Sequence, residues 1–130
     1  MVENRPINSA ALSSTPAGVM RLVDSEQMAA IDQAASEHFG IPSLITMENA
    51  GLKALSTIQQ QIWRRELPQE QVTIVSGRGN NGGDALVIAR QLNTLGVQNL
   101  TVLLSHGEPK TGSQCAINLS ICRKLGILCL

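Results

Sequence analysis

The residues best suited to chemistry lie in one glycine-rich segment, residues 77–84, with the sequence GRGNNGGD. Its first six residues fit the pattern G-x-G-x-x-G and directly follow a short β-branched run. Glycines in such a segment let backbone N–H groups approach phosphate oxygens, and the N-terminus of the following helix adds about half a positive charge. A tight turn does not need four glycines, two asparagines and an aspartate in eight residues. We therefore predict a ligand-binding loop.

One interpretation is that this loop belongs to a conventional dinucleotide-binding oxidoreductase. That fingerprint expects an acidic residue at the end of the second strand, where it binds the ribose. Here the second predicted strand, Leu100–Leu104, has no carboxylate after it until Glu108 in the following turn. Asn80 and Asn81 instead offer amide oxygens, which are neutral, hard ligands for a monovalent or alkaline-earth cation or for sugar hydroxyls. The oxidoreductase reading stays open as an alternative.

Hydrophobic periodicity places the loop within an α/β fold. Asp24 and Gln27 form a predicted capping box that begins a first helix, and a second helix fits Ser43 to about Arg65. Short apolar strands then alternate with helices: strands over 72–76, 100–104 and 127–130, and helices over 85–95 and 116–125. This order predicts a parallel sheet. Because such a sheet needs both faces packed, we expect the chain to be the first part of a larger domain.

Composition argues against several classes of function. The 130 residues carry 10 Lys+Arg and 10 Asp+Glu, so the chain lacks the basic excess of a nucleic-acid binder. It contains no stretch of about 20 apolar residues that would span a membrane. Three cysteines, Cys115, Cys122 and Cys129, form no C-x-x-C pair and are predicted to be reduced packing residues. We therefore expect a cytoplasmic protein with neither a nucleic-acid nor a membrane partner.

Three segments carry a resemblance to a known family. They are residues 23–28 (VDSEQM) with Ile31 and Asp32, residues 45–51 (ITMENAG), and residues 77–84 followed by LV at 86–87 and AR at 89–90. In this order and spacing the chain resembles the NAD(P)H-hydrate epimerase family, the YjeF N-terminal domain. The similarity assigns residues 19–130 to the N-terminal part of that domain and leaves residues 1–18 as a flexible leader.

The resemblance implies both a fold and an activity. The fold is a Rossmann-like three-layer α/β/α sandwich with a parallel sheet, of which this chain holds the N-terminal portion only. Members interconvert the R and S forms of hydrated NADH and NADPH, a nucleotide repair reaction. By similarity, the segment that contacts substrate comprises Asn80, Asn81, Gly82, Gly83 and Asp84, and Asn81 also holds a potassium ion.

The family's catalytic residue has no counterpart in this sequence. By similarity it is an aspartate in an Asp-x-x-Phe-Gly motif on a later strand, so we expect it beyond Leu130 and expect this chain alone to be a poor epimerase. Many bacterial members are fused to an ATP- or ADP-dependent dehydratase, so a fused or separate dehydratase is an expected partner. A second copy of the chain is another expected partner, because strand 100–104 or 127–130 would present an apolar edge. A non-catalytic scaffold or binding module of the same domain type is a further alternative.

Glu48, Asn49 and Asp84 each allow two interpretations. Glu48 and Asn49 early in the second helix are either a solvated first turn or supporting residues at the polar edge of the hydrate site. Asp84 fits a helix N-cap as well as a substrate ligand. The family usually has Gly where this chain has Ala85, which would strain the backbone if that position required a positive φ.

Overall fold

Four helices and three short strands make up the part of the chain that the computed structural model describes, residues 22–64 and 66–130. In chain order they are α1 (Ser25–Glu37), α2 (Ser43–Gln61), β1 (Val72–Ser76), α3 (Asn80–Thr94), β2 (Leu100–Leu104), α4 (Gln114–Lys124) and β3 (Leu128–Cys129). The predicted leader, residues 1–18, lies outside the described residues.

The three strands form one parallel sheet in the order β1-β2-β3, which confirms the predicted α/β fold. Val72 pairs with Leu100 at the start of β1, and Thr101 pairs with Leu128. β3 is shorter than the predicted 127–130, because the backbone N–H of Ile127 bonds the Cys122 carbonyl at the end of α4 (3.1 Å). The chain therefore enters the sheet only at Leu128.

The core lies between one face of the sheet and helices α3 and α4. Its largest fully buried apolar side chains are Leu86, Leu92, Leu119, Val87 and Val102. Each such side chain contributes about 1.5–3 kcal/mol when it leaves water. Cys115 and Cys122 are buried in the same core as free thiols, which confirms their predicted packing role.

The opposite face of the sheet is uncovered in the described part of the chain. Val75 is 63% exposed, Leu128 55% and Leu103 38%, whereas the alternate residues of the same strands contact the core. Helices therefore cover one face of the sheet here, and β1 is less buried than its β-branched sequence predicted.

Helix ends agree with the sequence where the signal is local. The capping box of α1 is present, with Asp24 Oδ1 accepting from the Gln27 backbone N–H at 2.8 Å. α2, predicted to reach about Arg65, ends at Gln61, and Arg64 has a φ of 48°. That left-handed residue turns the chain away, although the apolar periodicity continues to Ile62.

Candidate functional site

The glycine-rich segment is mostly helix rather than loop. α3 begins at Asn80 with Gly79 as its N-cap, and the Gly83 N–H donates to the Gly79 carbonyl at 3.0 Å. Asp84 is thus the fifth residue of the helix, so its predicted role as the N-cap is wrong. Asn and Gly have low helix propensity, but close packing of this turn against its neighbours overrides that preference. Ala85 also lies within this helix, where no positive φ is required.

The glycines of the segment divide into two kinds. A Cβ at Gly82 would be 2.0 Å from the carbonyl oxygen of Gly77, and one at Gly83 would be 2.4 Å from the sulfur of Met47. At Gly77 and Gly79 a Cβ would meet no atom within 4 Å. The two helical glycines are therefore required for packing, whereas the two before the helix leave open space for a ligand to approach the backbone.

Ser76 joins the end of β1 to the first turn of α3. Its side-chain oxygen lies 3.1 Å from the carbonyl oxygens of both Gly77 and Gly82, and the residue is 1% exposed. Its own carbonyl accepts from the Ser105 N–H at 3.0 Å. Sequence reasoning missed this residue, although a single hydroxyl at the end of an apolar strand, directly before the glycines, was the available signal.

The N-terminus of α3 carries a positive partial charge, and no side chain caps it within the described residues. Gly79 has no side-chain acceptor, and the first N–H groups of a helix lack intrahelical partners. Asn80 and Asn81 at this end are exposed. Backbone N–H groups at the positive end of a helix dipole suit an anion such as a phosphate.

A cavity of about 470 Å³ adjoins this helix end, between α1, α2, α3 and α4. Its polar lining combines the carboxylates of Asp32 and Asp84 with the amides of Asn49, Asn80 and Gln114. Hydroxyls from the first turn of α2 complete its polar surface. These groups can hydrogen-bond a ligand rich in hydroxyl or amide groups. We call this space the first cavity.

A second cavity, of about 450 Å³, also adjoins this helix end. It is lined by the glycines before α3 and by Asn81, with Val75 and Ile88 as apolar residues. Ala50, Asn80 and Asp84 line both cavities, so these three residues lie where the cavities meet. The predicted residues Asn80, Asn81, Gly82 and Asp84 are therefore together.

Asp84 is electrostatically distinct. Partial burial raises the pKa of its carboxyl above the ordinary value, and the negative charge of Asp32 raises it further. Asp84 thus retains a proton to higher pH than an exposed aspartate. Asp32 was seen in the sequence only as part of a motif, and its position beside Asp84 depends on the packing of α1.

The two predicted supporting residues, Asn49 and Glu48, have different surroundings in the structure. Asn49 lines the first cavity. Glu48 forms an ion pair with Arg90 and accepts from Gln91 Nε2 at 2.8 Å. Sequence spacing gave no sign of these partners, which lie more than 40 residues away.

The donors near Asn81 fit a potassium ion in kind. Asn81, Gly77 and Gly79 all line the second cavity, and the oxygen atoms that these residues carry are neutral. Within the described residues, 22–64 and 66–130, there is no group of three or more His, Cys, Asp or Glu side chains that could hold a metal ion. Amide and carbonyl oxygens of this kind are hard ligands that suit a monovalent or alkaline-earth cation.

The cysteines take no part in this chemistry. Burial raises the pKa of the Cys122 thiol to about 12 and raises the pKa of Cys115 as well. Both thiols therefore stay protonated near neutral pH and lack the thiolate that a nucleophile or metal ligand needs.

Comparison with known proteins identifies the family to which these elements belong. The pattern of a family described as "YjeF-related protein N-terminus" matches residues 43–130. A bifunctional NAD(P)H-hydrate repair enzyme of Moorella thermoacetica is 37% identical over 107 residues, which are 82% of this chain and 20% of that protein. An NAD(P)H-hydrate epimerase of Lentilactobacillus buchneri is 39% identical over 89 residues, 68% of this chain and 39% of the relative.

A solved structure has the same fold. The crystal structure of the yeast protein ynu0 (YNL200c) superimposes with a TM-score of 0.70 at 26% identity, over 85% of this chain and 47% of the yeast chain. The present chain thus spans less than half the length of each of these proteins. The family pattern matches more than half of the chain and includes α2, α3 and α4, three of the helices that line the first cavity, so the chain belongs to the family of YjeF-related protein N-termini.

Proposed function

We propose that this chain binds hydrated NADH or NADPH and provides the binding part of an NAD(P)H-hydrate epimerase. One observation carries the proposal: the uncapped N-terminus of α3 opens between two cavities that share Asn80 and Asp84. Such a site accepts a phosphate and a polar ring system at the same time. The names of the relatives supply the substrate class.

The chemistry divides between the helix end and the cavities. The backbone N–H groups of Asn80 and Asn81 bind a phosphate, while amide and hydroxyl groups of the first cavity bind the polar ring and sugar groups. Epimerisation by loss and return of the ring hydroxyl needs a group that holds a proton near that carbon. Asp84 faces both cavities, and its raised pKa suits it to hold that proton. The catalytic aspartate expected beyond Leu130 stays a prediction.

We propose further that potassium binds near Asn81 and supports substrate binding. The amide oxygen of Asn81 and nearby backbone carbonyls are its ligands within this chain. When bound, the ion supplies positive charge for the phosphates or the leaving hydroxyl.

The remaining proposals concern the partners of the chain and its location in the cell. A dehydratase, fused or separate, is the proposed partner, because one of the relatives is named as bifunctional. A homodimer and a cytoplasmic location are likewise proposals, the latter supported by the free thiols. None of the helices in the described residues is long and apolar enough to cross a membrane.

The test of the proposed function is calorimetric titration of the chain with hydrated NADPH. We expect saturable binding that NADP displaces at millimolar concentration, and weaker binding by Asn80→Ala. Asn93→Ala is the matched control, because Asn93 lies near the other end of the same helix, outside both cavities. Absence of heat together with absence of competition by NADP would refute the proposal.

A further inference from the structure

A polar network joins α2, α3 and α4 behind the first cavity. The carboxylate of Glu48 pairs with Arg90 Nη2, and its other oxygen accepts from Gln91 Nε2 at 2.8 Å. Arg90 Nε, in turn, donates to Asn118 Oδ1 at 3.0 Å. The Arg90 side chain is only 15% exposed, so solvent screens this network less than a surface pair.

Asn118 connects the network to the wall of the cavity. It is 1% exposed, and its amide nitrogen lies 3.1 Å from the Gln114 carbonyl oxygen and 3.4 Å from the Met47 sulfur. Leaving a buried amide without hydrogen-bond partners is costly. Because Asn118 Oδ1 accepts from Arg90 Nε, the amide nitrogen of Asn118 is the end that faces Met47.

The residues that Asn118 holds belong to the candidate site. Met47 lines the first cavity, and its sulfur occupies the space that a Cβ at Gly83 would need. Gln114 lines the same cavity and donates from Nε2 to Ser43 Oγ. An ordered path therefore runs from Glu48 through Arg90 and Asn118 to two cavity walls.

We propose that Glu48, Arg90 and Asn118 are positioning residues for the site, which hold Met47 and Gln114 so that the Asn80–Asp84 segment keeps its binding geometry. That the ligand is hydrated NADPH rests on the proposed function. The positioning itself concerns the ligand-free protein. A purely structural network would support folding without affecting the cavity.

The substitution Arg90→Lys separates these two roles. Lysine keeps a positive charge for Glu48 but cannot supply both the Nη2 contact and the Nε donation to Asn118. Arg123→Lys is the matched control, because Arg123 of α4 forms an exposed ion pair with Glu108, which precedes that helix. Three measurements are made on each chain: the melting temperature, NMR resonances of the Met47 methyl and the Asn80 and Gly83 amides, and calorimetric affinity for hydrated NADPH.

We expect Arg90→Lys to melt within a few degrees of the parent, to shift those resonances, and to bind hydrated NADPH about 10-fold more weakly. Arg123→Lys should leave all three unchanged. If Arg90→Lys does not fold, Glu48→Gln, with Glu108→Gln as its control, serves instead because it keeps an acceptor for Gln91. A folded variant with parental resonances overturns the positioning role. If the parent chain itself binds no hydrate, the proposed function fails, and the resonances alone decide the positioning role.

Discussion

Met47 of α2 fills the space that a side chain at Gly83 of α3 would need. A Cβ added at Gly83 would be 2.4 Å from the Met47 sulfur, and Met47 is 5% exposed. This contact sets the spacing of the two helices directly beside the first cavity. The pairing also explains why an apolar residue in one family motif and a glycine in another occur together in this chain.

Gly83→Ala is therefore expected to be destabilising, and Met47→Ala should relieve part of the cost. Overpacking of this kind costs about 1–3 kcal/mol, against a gain of up to about 1 kcal/mol in helix propensity. Urea denaturation of the four chains of the double-mutant cycle measures the coupling, and the propensity gain cancels because it occurs in both backgrounds. Equal cost of Gly83→Ala with and without Met47 would contradict the contact.

Gly82→Ala should be the more harmful of the two neighbouring changes. Its Cβ would meet the Gly77 carbonyl oxygen at 2.0 Å, and backbone cannot rotate aside as a methionine side chain does. We expect a loss of about 3 kcal/mol in the free energy of unfolding. Gly77→Ala is the control, because nothing lies within 4 Å of its Cβ position. Similar denaturation midpoints for Gly82→Ala and Gly77→Ala would disprove the close approach.

The folded and unfolded states should differ in how Asp84 titrates. Burial first, and the charge of Asp32 second, raise its pKa in the folded state. The folded chain then binds the proton more tightly than the unfolded chain, so the stabilising contribution is full below the unfolded pKa and is lost as pH rises through the folded pKa. Asp84→Asn should remove this dependence, so that its stability relative to the parent is greater at pH 7 than at pH 3.

Carboxyl ¹³C NMR titration checks the cause of this shift. Asp32→Asn should lower the pKa of Asp84 without restoring it fully, since burial remains. Glu108 is an internal reference whose pKa shifts in the opposite direction, because its hydrogen bond to Arg123 lowers that pKa. An Asp84 titration that is unchanged in Asp32→Asn would show that the two carboxylates do not interact.

Much of the fold followed from local signals in the sequence. The capping box at Asp24 and Gln27 and the β-branched run of β1 specify their elements without help from distant residues. The start of α3 was mispredicted, because the helical state of Asn80–Asp84 depends on tertiary contacts such as Met47 with Gly83. Local propensity is a weak prior where such packing competes with it.

The candidate site was predictable only in part, for a similar reason. The motif identified Asn80, Asn81 and Asp84, because residues that are at most four positions apart at one helix end lie close together. Asp32 and Gln114 reach the same cavity from α1 and α4, and no spacing in the sequence links them. Only the packing of the helices brings these groups together.

The sheet face that the described residues leave uncovered should make the chain associate with itself. Val75, Leu103 and Leu128 expose an apolar surface beside strand edges, which favours self-association. Sedimentation analysis over a concentration series should show growing species, and the double variant Val75→Thr/Leu103→Thr should reduce them. Leu125→Thr serves as control, because Leu125 is 46% exposed but follows α4. A parent chain that remains monomeric at high concentration would contradict this expectation.

Potassium dependence provides the sharpest test of Asn81. A cation beside the positive end of a helix is unfavourable unless oxygen ligands and a bound phosphate offset the repulsion. Asn81 supplies a neutral amide oxygen and is exposed, so Asn81→Ala should leave the melting temperature nearly unchanged. The parent should bind hydrated NADPH more tightly in potassium chloride than in tetramethylammonium chloride of equal ionic strength. This difference should vanish in Asn81→Ala and persist in Asn93→Ala. If Asn81→Ala keeps the parental difference between the two salts, the amide of Asn81 is not a potassium ligand.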